Sequence, residues 1–125
     1  MKLKKTKVNF EDERGVIRDI LILSQIGITY ISSKKGTVRG NHYHKKTMQY
    51  EFILSGSFEY HYKKVEKRGR GKRMLSAGHL VHIHPYEVHT FKALTDGEIL
   101  SFNFGPAKGK NGHLDTFRAD KPLAQ

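Results

Sequence analysis

Polar and apolar residues alternate in short runs along most of this chain, and glycine or other turn-forming residues separate the runs. The clearest alternation covers residues 57–65, where Phe58, Tyr60 and Tyr62 stand between polar neighbours. Successive side chains of a β-strand point to opposite faces, so a period of two predicts a strand with one buried face. The other predicted strands are residues 2–10, 16–23, 28–32, 37–44, 50–54, 80–84 and 99–104.

A helix over residues 17–26 is the competing prediction for one segment, because IRDILILSQI has a partial 3.6-residue periodicity. That segment is short, and strand-like sequence flanks it. Turns are predicted at residues 11–15, 34–36, 84–87 and 105–112. Many short strands joined by glycine-marked turns predict an all-β fold built from antiparallel sheets. With 125 residues the chain fits a single domain, residues 1–125, folded as a small jelly-roll barrel.

The chain is strongly basic, with a formal net charge of +11, and many of its cations lie between residues 63 and 73. This segment has no aromatic residue for base stacking and no helical period that would present a face to a groove. We therefore interpret residues 67–73 as a solvated hairpin tip and do not expect a nucleic-acid partner. A basic rim would still attract an anionic small-molecule substrate such as a sugar nucleotide.

The absence of cysteine limits the chemistry that the chain can perform. Disulfides and thiolates are excluded, so any metal depends on histidine, carboxylate or amide ligands. No apolar run approaches the roughly 18 residues of a membrane-spanning helix, and the basic start MKLKKTKV lacks the apolar region of a secretory signal. We expect a cytoplasmic protein without a membrane partner.

The candidate chemistry is concentrated in residues 36–56, GTVRGNHYHKKTMQYEFILSG. On an extended strand, His42 and His44 point to the same face and start about 6 to 7 Å apart, which is close enough to share one ion. His89 can supply a third imidazole, and Gln49 or Glu51 can supply an oxygen. Such a set of ligands suits zinc, iron, nickel, copper or manganese better than calcium or magnesium.

The oxygen ligand is left open by the sequence. Gln49 is neutral and binds an ion more weakly than a carboxylate does. Glu51 lies on the same strand face and either binds the ion or acts as a base with a raised pKa.

We expect structural roles for the other histidines and for the face of the strand opposite Gln49 and Glu51. Tyr50, Phe52 and Leu54 are predicted to form core or a subunit interface. His82 and His84 are predicted to form a polar strand face near the mouth of the pocket, and His61, His79 and His113 are predicted to lie on the surface.

Residues 36–56 resemble the first motif of the cupin superfamily, in which a glycine is followed by five residues, His-x-His, an acidic position and a second glycine. Residues 78–89 resemble the second motif more loosely. The chain departs from the family at Gln49, where most metal-binding cupins have Glu. It also departs from the pattern of the second motif at His84, Tyr86 and Ala93.

The resemblance implies a cupin barrel with a divalent metal, namely zinc, manganese, iron or nickel, held by His42, His44, Gln49 and His89. It also implies a homodimer, and the apolar run over residues 20–23 suits an exposed contact edge.

Within the cupins, the segment RGNHYH is similar to three groups that act on sugar nucleotides. These are the cupin domain of capsular polysaccharide enzymes, where such a site binds zinc, the dTDP-4-dehydrorhamnose 3,5-epimerases and the dTDP-sugar 3,4-ketoisomerases. All three groups remove a proton from the carbon beside a ketone. The likeness implies that Arg39 and Tyr43 bind substrate and that His42 is the base.

One imidazole cannot bind an ion and accept a proton at the same time. If His42 is a ligand, Glu51 or Tyr43 becomes the candidate base. Without a metal, His42 and His44 can act directly as acid and base, so the catalytic candidates are His42, His44 and Glu51.

The predicted function is epimerisation or ketoisomerisation of a nucleotide-linked 4-keto sugar. The alternatives are a metal-dependent cupin oxygenase and a non-catalytic cupin that binds a sugar or another small molecule.

Overall fold

The computed structural model describes residues 1–105 and 115–125. The described residues form strands and turns and contain no helix, so none of them forms a helix that could cross a membrane. The strands are β1 (Phe10–Asp12), β2 (Gly15–Ile22), β3 (Ile26–Ser33), β4 (Val38–Tyr43), β5 (Met48–Ser55), β6 (Ser57–Lys64), β7 (Arg70–Ser76), β8 (Leu80–Ile83), β9 (Glu87–Ala93), β10 (Gly97–Phe104) and β11 (Phe117–Arg118).

The strands form two antiparallel sheets that enclose one interior. The six-stranded sheet has the order β1-β2-β3-β10-β5-β8, and the five-stranded sheet has the order β11-β4-β9-β6-β7. Strands that are adjacent in a sheet are mostly distant in sequence, as in a jelly roll. The predicted all-β antiparallel barrel is confirmed.

The interior changes from apolar to polar along the strands. Ile53 on β5 pairs with Ile99 on β10, and this apolar row packs against Phe58 of the facing sheet. Full burial of side chains of this kind contributes roughly 1.5 to 3 kcal/mol each. Along the same face of β5 follow Glu51 and then Gln49, both buried. The fold therefore has an apolar core at one end and a polar interior at the other.

Two local predictions are corrected by the fold. The first strand begins at Phe10, so the strand predicted over residues 2–10 is wrong for most of its length. The alternative helix over residues 17–26 is absent, because β2 pairs along its length with β3. A register shift between Asp19 and Leu21 interrupts strict alternation there, which explains why the segment also fitted a helical period.

The predicted basic tip is narrower than expected. β7 begins at Arg70, so only residues 65–69 connect β6 to β7. The turn predicted at residues 105–112 lies outside the described residues apart from Gly105, and His113 lies outside them as well.

Candidate metal centre

Three histidines from two neighbouring strands meet inside the barrel. His42 lies on β4, His44 follows the end of that strand, and His89 on β9 is the register partner of His42. One nitrogen from each ring can be chosen so that all three lie within 4.8 Å of one another. The ring centroids are 4.7 to 5.4 Å apart. This geometry brings together the three imidazoles that the sequence predicted as ligands and suits one shared divalent ion.

A β-bulge in β4 directs the histidines inward. Gly40 has a φ of 107° and Asn41 a φ of 59°, and the register with β9 shifts between Gly40 and His42. A side chain at Gly40 would start 2.5 Å from the carbonyl oxygen of His89, so only glycine fits this close approach. The extra residue lets Arg39 and His42, which are three positions apart, both face the interior.

Backbone carbonyl groups set the tautomers of two of the rings. Nδ1 of His44 lies 2.7 Å from the carbonyl oxygen of Asp115, and Nδ1 of His89 lies 3.0 Å from that of Glu87. A carbonyl can only accept, so each Nδ1 carries the proton and donates it. The lone pair of each ring is therefore on Nε2, which is the tautomer that a metal ligand needs.

Asp115 is a functional residue that the sequence did not indicate. Its carboxylate accepts hydrogen bonds from the backbone N–H groups of Lys45, Lys46 and Thr47, at 2.8 to 3.0 Å. Burial alone would raise the pKa of Asp115, but these donors outweigh it and hold the pKa below its ordinary value. Asp115 thus fixes the loop after His44 with its side chain and the His44 ring with its carbonyl. No local signal marks such a residue, because its partners lie about 70 positions away in the chain.

Two atoms expected to complete the centre have no hydrogen-bond partner in the part of the chain that the structure describes. Nε2 of His44 and Oε1 of Gln49 are buried and make no hydrogen bond among the described residues. Nε2 of Gln49 donates to Oδ1 of Asn103, and this bond leaves the amide oxygen as the available atom. Buried polar atoms are rarely left unsatisfied. Three imidazole nitrogens and one amide oxygen therefore fit a divalent ion in number and in chemistry.

Glu51 is buried but is held apart from the histidine group. It is 5% exposed, and its Oε1 accepts a hydrogen bond from Ser101 Oγ at 2.8 Å. The cluster of potential metal-binding side chains contains the three histidines and does not include Glu51. Gln49 Oε1 makes no hydrogen bond among the described residues, whereas Glu51 Oε1 accepts one from Ser101, and this difference favours Gln49 as the oxygen ligand.

Burial keeps the imidazoles of His42 and His89 neutral. It lowers the pKa of His42 to about 4, with further lowering from the charges of His44 and Arg118. Burial also lowers the pKa of His89 well below its ordinary value, helped by the neighbouring His42. Neutral imidazole is the form that binds metal, so these two ligands need no deprotonation near neutral pH.

The two predicted substrate-binding residues lie in different surroundings. Arg39 donates to Ser33 Oγ at 3.0 Å and to the carbonyl of Ser32 at 2.9 Å. Burial lowers its pKa, and the charges acting on it are those of residues 12–14, not of the histidines. Tyr43 stacks on Phe117 with ring centroids 5.6 Å apart. A substrate role for either residue stays a prediction, and the bonds of Arg39 do not support one.

The remaining histidines depart from their predicted positions in two places. His61 is 9% exposed and contacts Glu59 Oε1 at 2.6 Å, so the prediction of a surface residue is wrong. His79 is exposed, as predicted. His82 pairs in register with Tyr50 and its ring stacks on that of Tyr50, with centroids 4.3 Å apart. It therefore lies on the outer face of the six-stranded sheet and not at the mouth of the interior pocket.

The sequence matches one protein family over nearly the whole fold. Residues 10–117 match the family described as the polysaccharide biosynthesis C-terminal domain. The chain belongs to this family. A search with the sequence of this chain found no match among curated proteins.

Solved structures share the fold of the domain. The capsular polysaccharide assembling protein CapF from Staphylococcus aureus superposes with a TM-score of 0.78 and 19% identity, covering 95% of the chain and 34% of CapF. Oxalate decarboxylase from Bacillus subtilis superposes with a TM-score of 0.75 and 21% identity, covering 90% of the chain and 30% of the enzyme. A conserved protein with a double-stranded beta-helix domain from Klebsiella pneumoniae superposes with a TM-score of 0.69 and 16% identity, covering 91% of each chain.

These similarities establish the cupin fold. The domain spans about a third of the length of CapF. A likeness at these identities concerns the fold and leaves the activity of the domain to its own residues.

Proposed function

We propose that this cupin domain binds a divalent metal and removes a proton from the carbon beside the ketone of a nucleotide-linked 4-keto sugar, giving an epimer or a ketoisomer. The observation that carries the proposal is the group of three imidazoles inside the barrel. The buried amide oxygen of Gln49, which makes no hydrogen bond among the described residues, supports it. The family description and the likeness to CapF, a capsular polysaccharide assembling protein, support polysaccharide biosynthesis as its context.

The histidines and Gln49 would hold the ion. Nε2 of His44 and Nε2 of His89 already carry lone pairs, because their Nδ1 atoms donate to backbone carbonyls. When bound, a divalent ion supplies positive charge that stabilises an enolate oxygen.

Glu51 would accept the proton. With His42, His44 and His89 as ligands, no imidazole of the centre is left as a base. Glu51 lies two residues from Gln49 on the same inward face of β5, about 6 to 7 Å away along the strand. Ser101 donates to one of its oxygens, which orients the carboxylate. A carboxylate in a buried site is a suitable base for a proton beside a ketone.

Incorporation of solvent deuterium tests the proposal directly. The protein, loaded in turn with zinc, manganese, iron or nickel, is mixed in D2O with dTDP- and UDP-linked 4-keto-6-deoxyhexoses, and exchange beside the ketone is followed by NMR. Glu51→Gln retains the acceptor for Ser101 and should slow exchange by about 10² to 10⁴-fold while keeping the metal. His44→Ala should lose both metal and exchange, whereas His84→Ala, an exposed histidine, should lose neither.

The contradicting results are equally specific. No exchange with any of these substrates in the metal-loaded protein would refute the proposal. Oxygen consumption by the iron-loaded protein would support the oxygenase alternative, and tight binding of a sugar without exchange would support a binding module.

A further inference from the structure

A second cavity lies between the five-stranded sheet and the C-terminal segment, beside Tyr43 at the end of β4. It has a volume of about 420 Å³ and is bounded by the sheet on one side and by residues 118–123 of the C-terminal segment on the other. We call it the basic cleft. Its volume is within the range of pockets that bind small molecules.

The lining of the basic cleft is strongly cationic. Five of its side chains are cations and one is a carboxylate: Lys63, Arg68, Arg70, Arg118 and Lys121, with Asp120. The ion pairs formed within residues 1–105 and 115–125 are Arg14–Asp12 and His61–Glu59, so none of the five cations is paired there. Five cations against one carboxylate give a local excess of positive charge, which favours an anionic ligand.

The wall of the cleft is fixed by hydrogen bonds. Arg70 donates to the carbonyl of Leu123, and the backbone N–H of Leu123 donates to Oδ1 of Asn41 at 2.8 Å. The side chain of Leu123 is only 8% exposed. Arg68 and Arg70 belong to the segment whose sequence predicts a solvated tip, but the C-terminal segment folds against them. The cations are thus held around one space.

One cation connects the basic cleft to the candidate metal centre. Arg118 on β11 is the register partner of His42 on β4, and its guanidinium donates to the carbonyl oxygen of Gly40 on the same strand at 3.4 Å. Tyr43, the next residue of β4, also lines the cleft. An anionic group held in the cleft would therefore lie beside β4, the strand that carries His42 and leads into His44.

We infer that the basic cleft binds the diphosphate of the substrate, with Arg118 at the side nearest the metal centre. This inference rests on the proposed function, because it assigns the nucleotide-linked part of the same substrate to the cleft and the keto sugar to the barrel interior. Arg118 then has the substrate-binding role that the sequence suggested for Arg39, whose guanidinium is bonded to Ser32 and Ser33.

Calorimetric titration of the full chain, stripped of metal with a chelator, tests the cleft without the chemistry of the centre. UDP and dTDP should bind, and the dissociation constant should rise with salt. Arg118→Gln and Arg68→Gln should each weaken binding by about tenfold or more, since each removes a charged donor to phosphate. Lys34→Gln, which removes one exposed cation far from the cleft, is the matched control and should leave the dissociation constant unchanged.

Arg70→Gln is the less suitable variant because it also removes the bond to Leu123, so melting curves should accompany every titration. Inorganic pyrophosphate should compete with UDP at the same site, which would identify the diphosphate as the recognised group.

Two outcomes of the binding measurements would overturn the inference. One is equal weakening by Lys34→Gln, which would mean that net charge alone attracts the nucleotide. The other is tighter binding of a single-stranded RNA oligonucleotide that displaces UDP, which would make the cleft a nucleic-acid surface. If the protein exchanges deuterium and Arg118→Gln leaves the Michaelis constant unchanged, the role of the cleft is refuted and the proposed function is sustained. Nucleotide binding to the cleft without deuterium exchange would sustain the cleft and refute the proposed function.

Discussion

The backbone carbonyl oxygen of Asp115 lies 2.7 Å from Nδ1 of His44, and it joins the C-terminal part of the chain to the candidate metal centre. The side chain of the same aspartate holds three backbone N–H groups of the loop that follows His44. One residue thus fixes both the position of the loop and the tautomer of the ligand.

Asp115→Ala should lower both stability and metal affinity. Removing the carboxylate leaves buried N–H groups without an acceptor, which should reduce the free energy of unfolding by about 2 kcal/mol or more. Zinc affinity should also fall, because the carboxylate anchors the loop after His44 and so keeps His44 against the Asp115 carbonyl, which the substitution retains. Groups that position a ligand from outside usually change metal affinity by about 10- to 100-fold. Denaturant unfolding and competition with a zinc chelator measure the two effects. Asp120→Ala, an exposed carboxylate of the same segment, is the control, and unchanged zinc affinity in Asp115→Ala would contradict the orienting role.

The metal content should depend on the interior histidines alone. Elemental analysis of protein purified without a histidine tag should find about one ion per chain, because one set of four ligands fits one ion. His44→Ala and His89→Ala should each abolish binding, and His84→Ala should preserve it. Retention of the ion in His44→Ala would refute the proposed ligand set.

Gln49→Glu should strengthen metal binding. A carboxylate is a stronger ligand than a neutral amide, and it would restore the residue that most metal-binding cupins have in this position. In the metal-free protein the same substitution should reduce the free energy of unfolding, because it buries a charge and replaces the donor to Asn103 Oδ1 with a second acceptor. We therefore expect Gln49→Glu to raise the metal affinity and to lower the stability of the metal-free protein. A weaker affinity would mean that Gln49 is not a ligand.

Lowering the pH should destabilise the metal-free protein, because the buried His42 and His89 resist protonation in the folded state. Burial lowers the pKa of His42 to about 4 and that of His89 well below its ordinary value, whereas both rings titrate near pH 6.5 in the unfolded chain. Between about pH 6.5 and pH 4 the unfolded state therefore binds more protons, so the stability that is present above pH 6.5 is lost as the pH falls. Urea unfolding at a series of pH values should show this slope, and His42→Gln should flatten it. His79→Gln, at an exposed site, should give the same slope as the unmodified protein.

We propose that two copies of the chain meet through the outer face of the six-stranded sheet. Leu80 and Leu54 are 58% and 41% exposed there. Leu80 is the register partner of Phe52, which lies on the same face of β5 as Tyr50 and Leu54. This face is largely apolar, so two copies can meet on it despite a formal charge of +11 on each chain.

Light scattering after size-exclusion chromatography should give the mass of a dimer for the unmodified protein and of a monomer for Leu54→Glu/Leu80→Glu. Met74→Glu alters an equally exposed apolar residue on the other sheet and should remain dimeric. A monomeric unmodified protein would refute the proposal.

The sequence by itself determined the fold class and the three imidazoles. Alternation along segments such as residues 57–65 reflects burial of one strand face, which is a local property that the order of residues records directly. The spacing of His42 and His44, with His89 in a second motif, predicted the ligands because two residues of a strand separated by one position share a face.

Only the tertiary structure decided how the centre is completed. The bulge at Gly40 and Asn41 depends on contacts with β9, and the proposal of Gln49 rather than Glu51 as the oxygen ligand rests on their hydrogen bonds to β10. Asp115 and Arg118 reach the histidines from the far end of the chain. Contacts between residues so distant in sequence depend on how the sheets pair, which no local pattern encodes.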